Sequence, residues 1–148
     1  MKKKEFSFST KATTLAKLQG VLQESEVPPL YSFTVQEWDE DPKAVYDEVA
    51  KKFSSSVVVR SSALNEDGYG QSMAGNFESV LDVVAQNPEE FSAAVKTVIE
   101  SYENKDSAHH KNQVLVQEQV GDVQMSGVIF TQDLETGAPY YVVNYDDY

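Results

Sequence analysis

Apolar residues recur along the chain at two spacings, and the points where one spacing gives way to the other divide it into elements. Residues 9–22 set Leu15, Leu18 and Leu22 on one helical face behind Ser9 or Thr10 as N-cap, so the spacing predicts a first helix there. Gly20 weakens its last turn by about 1 kcal/mol relative to alanine. Val27-Pro28-Pro29 ends that unit, because proline cannot continue a helix and drives its predecessor extended. Residues 30–38 alternate through Tyr31, Phe33 and Val35 and predict a strand. Trp38 at its end reads as packing, with stacking on a base as the alternative.

Asp41-Pro42 is an N-cap followed by a first helical position, and Val45, Val49 and Phe53 recur every fourth residue behind it. Three valines, Val57 to Val59, then predict a strand buried on both faces that carries Arg60 at its end. Residues 76–84 predict another strand, with Phe77, Val80, Leu81 and Val83 as candidate core. Asn87-Pro88-Glu89-Glu90 repeats the cap, and Phe91, Ala94, Val95, Val98, Ile99 and Tyr102 follow helical spacing. The connector 103–112 holds His109 and His110, which point in different directions on any regular element and have no carboxylate at ligand spacing, so no metal site is expected there. Residues 113–120, 125–131 and 140–143, joined by short loops and the turn at 135–139, predict three strands in an antiparallel meander. Gln117 is expected on the inner face of the first of these. Together the elements predict an α/β chain of the α+β type, in two layers, with helices packed on a largely antiparallel sheet.

At 148 residues the sequence fits one domain, able to bury about two thirds of its unfolded surface. Twenty-four acidic against 12 basic residues give a net charge of −12, which argues against a general nucleic-acid binder. A polyanion would bind only at a local positive patch or with Mg²⁺ neutralising part of its charge. No cysteine is present, so disulfides and thiolate metal sites are excluded. Lys2 to Lys4 are not followed by an apolar run, and no stretch approaches the roughly 20 apolar residues of a membrane span, so a cytoplasmic location is expected.

Against that acidic background Arg60 is the sole arginine, at the point where an apolar strand gives way to a polar loop. Ser61, Ser62 and the glycines Gly68, Gly70 and Gly75 would let backbone amides approach an anion. The alternative is a strand, a turn and a strand, with Arg60 paired to Glu66 or Asp67. Neither GxxxxGK[ST] nor GxGxxG occurs, and spacing leaves both readings open. Lys11 falls in the first turn of the first helix, unfavourable for a cation unless an anion is also there; a solvated lysine is the other reading.

Val59-Arg60-Ser61-Ser62-Ala63, Glu66-Asp67 and Ser72-Met73-Ala74-Gly75 resemble the VRSSA, ED and S-F-A-G segments of the nucleotide-binding domain shared by phosphoenolpyruvate synthase and pyruvate phosphate dikinase. Val116-Gln117-Glu118-Gln119-Val120 and Ser126-Gly127-Val128-Ile129-Phe130-Thr131, with Asp133, are similar to that family's V-Q-x-M-V and S-G-V-x-F-T-x-D. Met73 replaces an aromatic, Asn76-Phe77-Glu78-Ser79 departs from Q-Q-D-T, and Lys11 lacks the glycines of the family's G-G-K-G.

The resemblance implies that residues 1–148 are the N-terminal portion of an ATP-grasp-like domain. The remainder of that domain, with its Mg²⁺-holding carboxylates, a phosphohistidine domain and a pyruvate or phosphoenolpyruvate domain are expected outside this chain. It implies ATP as ligand, bound by Lys11, Arg60, Ser61, Ser62, Gly75, Ser79 and Gln117, with Arg60 also acting in catalysis. The implied reaction carries phosphoryl groups from ATP to an enzyme histidine and on to pyruvate, with the chain alone expected to be inactive. A regulatory nucleotide-binding module and a structural domain that keeps the fold are the alternatives.

Overall fold

The structure is a computed structural model that describes residues 7–64, 78–103 and 110–147. Those residues form α1 (Lys11–Leu18), β1 (Leu30–Thr34), α2 (Val35–Glu40), α3 (Pro42–Lys52), β2 (Ser56–Ser62), β3 (Ser79–Val84), α4 (Pro88–Glu103), β4 (Gln113–Glu118), β5 (Met125–Phe130) and β6 (Val142–Asp147). Four strands build one antiparallel sheet in the order β1-β4-β2-β3. The remaining two, β5 and β6, pair as a separate ribbon.

The sheet is held by what its two faces cover. Side chains alternate along each strand, and one face presents Phe33, Val57, Val59, Val83, Val114 and Val116 to the helical residues Trp38, Val45, Val49, Phe91, Val95 and Val98. Each such side chain contributes on the order of 1.5–3 kcal/mol when fully buried. Trp38 packs between Phe33 and Phe91, with ring centroids 5.9 and 6.1 Å away, so it is a packing residue. The opposite face is covered over part of its width by α1, which sets Ala12 and Leu15 on Leu30 and Leu115.

Several sequence expectations are corrected. The first helix stops at Leu18 with Gln19 as C-cap, short of Leu22, because the chain tightens into a turn ahead of Gly20. The strand expected over 30–38 ends at Thr34, where a capping box with Glu37 turns the chain into α2. The valine run of β2 is fully buried on one face only: Val57 and Val59 are inaccessible, whereas Val58 is partly exposed. Arg60 lies inside that strand, two residues before its end. Leu81 is 61% exposed rather than core, and Phe77 lies outside the described residues. No three-strand meander forms, because β4 sits between β1 and β2 while β5 pairs with β6, whose bounds also replace the strand expected at 140–143. α3 begins as expected, Asp41 Oδ1 accepting from the Ala44 amide at 2.9 Å behind Pro42. α4 buries Phe91, Ala94, Val95, Val98 and Tyr102 as its spacing predicted.

Candidate functional site

Arg60 belongs to the face of β2 opposite the one that α2, α3 and α4 cover. Alternation puts Val58, Arg60 and Ser62 on that face, opposite Val57 and Val59. The same rule applied to β4 puts Gln117 and Leu115 there, while Val114 and Val116 face the core. Gln117 is therefore not on the core face, as the inner position expected for it would require. It stands diagonally beside Arg60, whose guanidinium donates to Gln117 Oε1 at 3.5 Å. On the other flank Arg60 pairs with Ser79 at the start of β3, so the two share a face.

α1 brings the second cation to this end of the sheet. Thr10 caps the helix, its hydroxyl accepting from the Thr13 amide, and Lys11 follows as the first helical residue. Lys11 Nζ donates to the carbonyl of Ser61 at 3.3 Å. Ser62 fixes the helix there, its Oγ accepting from the Ala12 amide at 2.9 Å. A lysine and an arginine thus lie at the same strand end in a chain of net charge −12, which makes a local positive patch possible where the whole surface would repel an anion.

The predicted site residues differ in what they can offer. Lys11, Arg60, Ser79 and Gln117 retain exposure. Ser61 and Ser62 are 1% and 0% exposed, so their side chains serve the protein interior. The Ser62 amide donates to the Tyr102 hydroxyl at 2.9 Å, and that hydroxyl donates to the Gln113 carbonyl, tying the end of β2 to α4 and β4. Gly75, Glu66 and Asp67 lie outside the described residues. Among the described residues no three His, Asp or Glu side chains gather into a metal site, and no helix is long and apolar enough to cross a membrane.

Two residues that the sequence reading passed over meet further along the same sheet. Gln119, just past β4, accepts from the Asp82 amide through Oε1 at 2.7 Å and donates to Asp82 Oδ1 through Nε2 at 2.6 Å. Asp82 has φ +57°, a left-handed conformation that aspartate tolerates better than most residues. Surface hollows of about 430 Å³ occur elsewhere, one lined by Gln19, Leu22, Val27 and Lys52 and one by Pro88, Ser92 and Lys96. Neither is lined by Arg60.

The sequence matches the family described as pyruvate phosphate dikinase, AMP/ATP-binding domain, over residues 33–145. That span includes Arg60, Ser61, Ser62, Gly75, Ser79 and Gln117, and leaves out Lys11. No match was found among curated proteins.

Proposed function

The chain belongs to the pyruvate phosphate dikinase AMP/ATP-binding domain family, and from that premise we propose that the face of the four-stranded sheet that carries Arg60 holds the phosphates of ATP. The observation that carries this reading is the convergence of cations: Lys11 Nζ lies 3.3 Å from the carbonyl of Ser61, the residue next to Arg60. The arginine fork matches phosphate oxygens in two-pronged geometry, and the lysine adds a compact charge beside it. Ser79 and Gln117 flank the guanidinium and fix its direction or bond the same phosphates.

Bound ATP supplies the phosphoryl group. The part assigned to these residues is positioning and charge neutralisation, which is most of what protein groups contribute to phosphoryl transfer. Onward transfer to an enzyme histidine and then to pyruvate is the reaction this step would serve, with Mg²⁺ neutralising part of the phosphate charge. The 148-residue chain by itself is expected to bind nucleotide without turnover. A structural reading is favoured by one observation, the engagement of Ser62 by Ala12 and Tyr102.

The two are separated by Arg60→Ala, examined by ATP titration calorimetry in the presence of Mg²⁺ and by thermal melting. A loss of at least tenfold in affinity, with the melting temperature nearly unchanged, is expected. Lower stability with unaltered affinity would establish the structural reading instead. Incubating the full-length gene product with labelled ATP then asks whether a phosphohistidine forms; binding without one would make the domain a regulatory module.

A further inference from the structure

β3 carries an irregularity that decides which side chain stands next to Arg60. Ser56 pairs with Val84 and Val57 with Val83, but Val59 pairs with Val80 and Arg60 with Ser79. Val58 is therefore opposed by two residues, Leu81 and Asp82, which makes a one-residue bulge. Without it the regular ladder would pair Val59 with Leu81 and Arg60 with Val80. A one-residue slip sends every side chain to the other face, so Ser79 would turn toward the core and Val80 would stand against the guanidinium.

Hydrophobic burial does not select the bulged register. In it Leu81 is 61% exposed while the smaller Val80 packs against the core. The regular register would bury the leucine instead, about one methylene or roughly 0.8 kcal/mol in its favour, although it would also turn the Ser79 hydroxyl toward the core, at about 1–3 kcal/mol if it found no partner there. Asp82 also adopts φ +57° in the bulged form, at a cost that a regular strand avoids. The bulged register is continued by the Ser61 amide donating to the Glu78 carbonyl at 3.3 Å, and the bulged residue itself is held by the two-pronged bond from Gln119 to the amide and carboxylate of Asp82. It reaches across the face of β2 from the end of β4, whose own position is fixed by the Gln119 amide donating to Ser56 O at 3.0 Å.

We propose that Gln119 and Asp82 are positioning residues, a clasp that fixes the register of β3 so that a hydroxyl, Ser79, rather than an aliphatic side chain stands beside Arg60. The proposal rests on the nucleotide reading for its consequence, since a serine hydroxyl bonds a phosphate oxygen or the guanidinium's partner and a valine cannot. Its structural half stands without that reading.

Two measurements on the 148-residue chain keep the halves apart. Cross-strand NMR contacts report whether Arg60 faces Ser79 or Val80, and calorimetry with Mg²⁺ and ATP reports affinity. In Gln119→Met, similar in length but unable to bond Asp82, we expect contacts of Arg60 to move to Val80, the Leu81 methyls to become buried, and ATP affinity to fall at least tenfold. Asp82→Asn keeps an acceptor for Gln119 Nε2 and a residue type suited to the left-handed backbone, and should retain both register and affinity. If Gln119→Met does not fold, Gln119→Glu, which keeps the acceptor for the Asp82 amide but sets two carboxylates together, should shift the same contacts. An unshifted register in Gln119→Met and Gln119→Glu overturns the clasp. A shifted register with undiminished affinity overturns its role in the site. If the wild-type chain fails to bind ATP, the nucleotide reading falls, while the register contacts still decide the clasp.

Discussion

Tyr102→Phe removes one oxygen from the joint that holds the end of β2, and the structure allows its cost to be worked out. The Tyr102 hydroxyl accepts from the Ser62 amide and donates to the Gln113 carbonyl, and Ser62 and Gln113 are themselves register partners across β2 and β4. The hydroxyl thus acts as an inserted rung. Ser62 is 0% exposed and Tyr102 1%, so water does not reach the amide once the oxygen is gone. An orphaned buried N–H costs about 1–3 kcal/mol. The Gln113 carbonyl adds less, because Gln113 is only partly buried.

A loss of about 2 kcal/mol is therefore expected, which in a domain of this length lowers the melting temperature by roughly 4–8 °C. In urea, with m on the order of 2 kcal/mol per molar, the midpoint should fall by about 1 M with the slope unchanged. Hydrogen exchange at the Ser62 amide should accelerate along with it. An unmoved midpoint would refute the reasoning, since it would mean that β2 and β4 close by themselves and bond Ser62 directly to Gln113.

Two further outcomes follow from local geometry. A Cβ added at Gly127 would run into the Asn144 carbonyl and lie 3.0 Å from Tyr145 Cα, both on the partner strand. Gly127→Ala should accordingly speed amide exchange in β5 and β6 by at least tenfold while leaving the four-stranded sheet protected; equal protection of the ribbon would contradict this. The Asp133 carboxyl is held below the usual aspartate range by the Thr136 hydroxyl and backbone amide, with the Glu135 amide assisting. Because the folded value is depressed, the turn's contribution to stability is present above the unfolded aspartate value and lost as pH falls through the folded one. The Thr136 amide resonance should titrate with a midpoint below that of the same chain in urea, and a midpoint at or above it would rule the interaction out.

Helices that announce themselves through side-chain caps were legible in the sequence, and the reason is local. Asp41-Pro42 and Asn87-Pro88 set their own first turns, Asn87 Oδ1 accepting from the Glu89 amide at 3.1 Å. α2 went unread although its signal was present. Thr34 and Glu37 have the spacing of a capping box, but the alternation of Tyr31, Phe33 and Val35 is a strand signal that runs straight across the cap. Arg60 was legible as a lone guanidinium against an acidic chain. Its neighbour Gln117 was read on the wrong face, because Val114, Leu115 and Val116 are all apolar and conceal the parity of β4. The bulge at Asp82 could not be read at all. Val80, Leu81 and Val83 satisfy either register, and what chooses between them is a bond to Gln119, 37 residues away.

The error over the meander shows what the sequence did hold about strand order. Short loops between 113 and 143 suggested neighbours in space, yet β4 crosses to lie between β1 and β2. A central strand needs apolar side chains at consecutive positions, because both of its faces are covered. β4 meets that requirement with Val114, Leu115 and Val116, each 0% exposed, and β2 begins to meet it with Val57, Val58 and Val59. β5 and β6 do not: Ser126 and Gly127 interrupt one, Asn144 the other, and Met125, Val128, Ile129, Val143 and Tyr145 are all exposed. The two apolar triplets therefore marked the two inner strands before any pairing was known. On β2 the triplet is followed by Arg60, the register partner of Leu115, and then by Ser62, which bonds the Ala12 amide, so the arginine stands at the margin of the cover that α1 gives this face, between the partly exposed Val58 and the buried Ser62. A charge is tolerable on a central strand where its side chain keeps partial exposure at the margin of such a cover, as Arg60 does among the described residues.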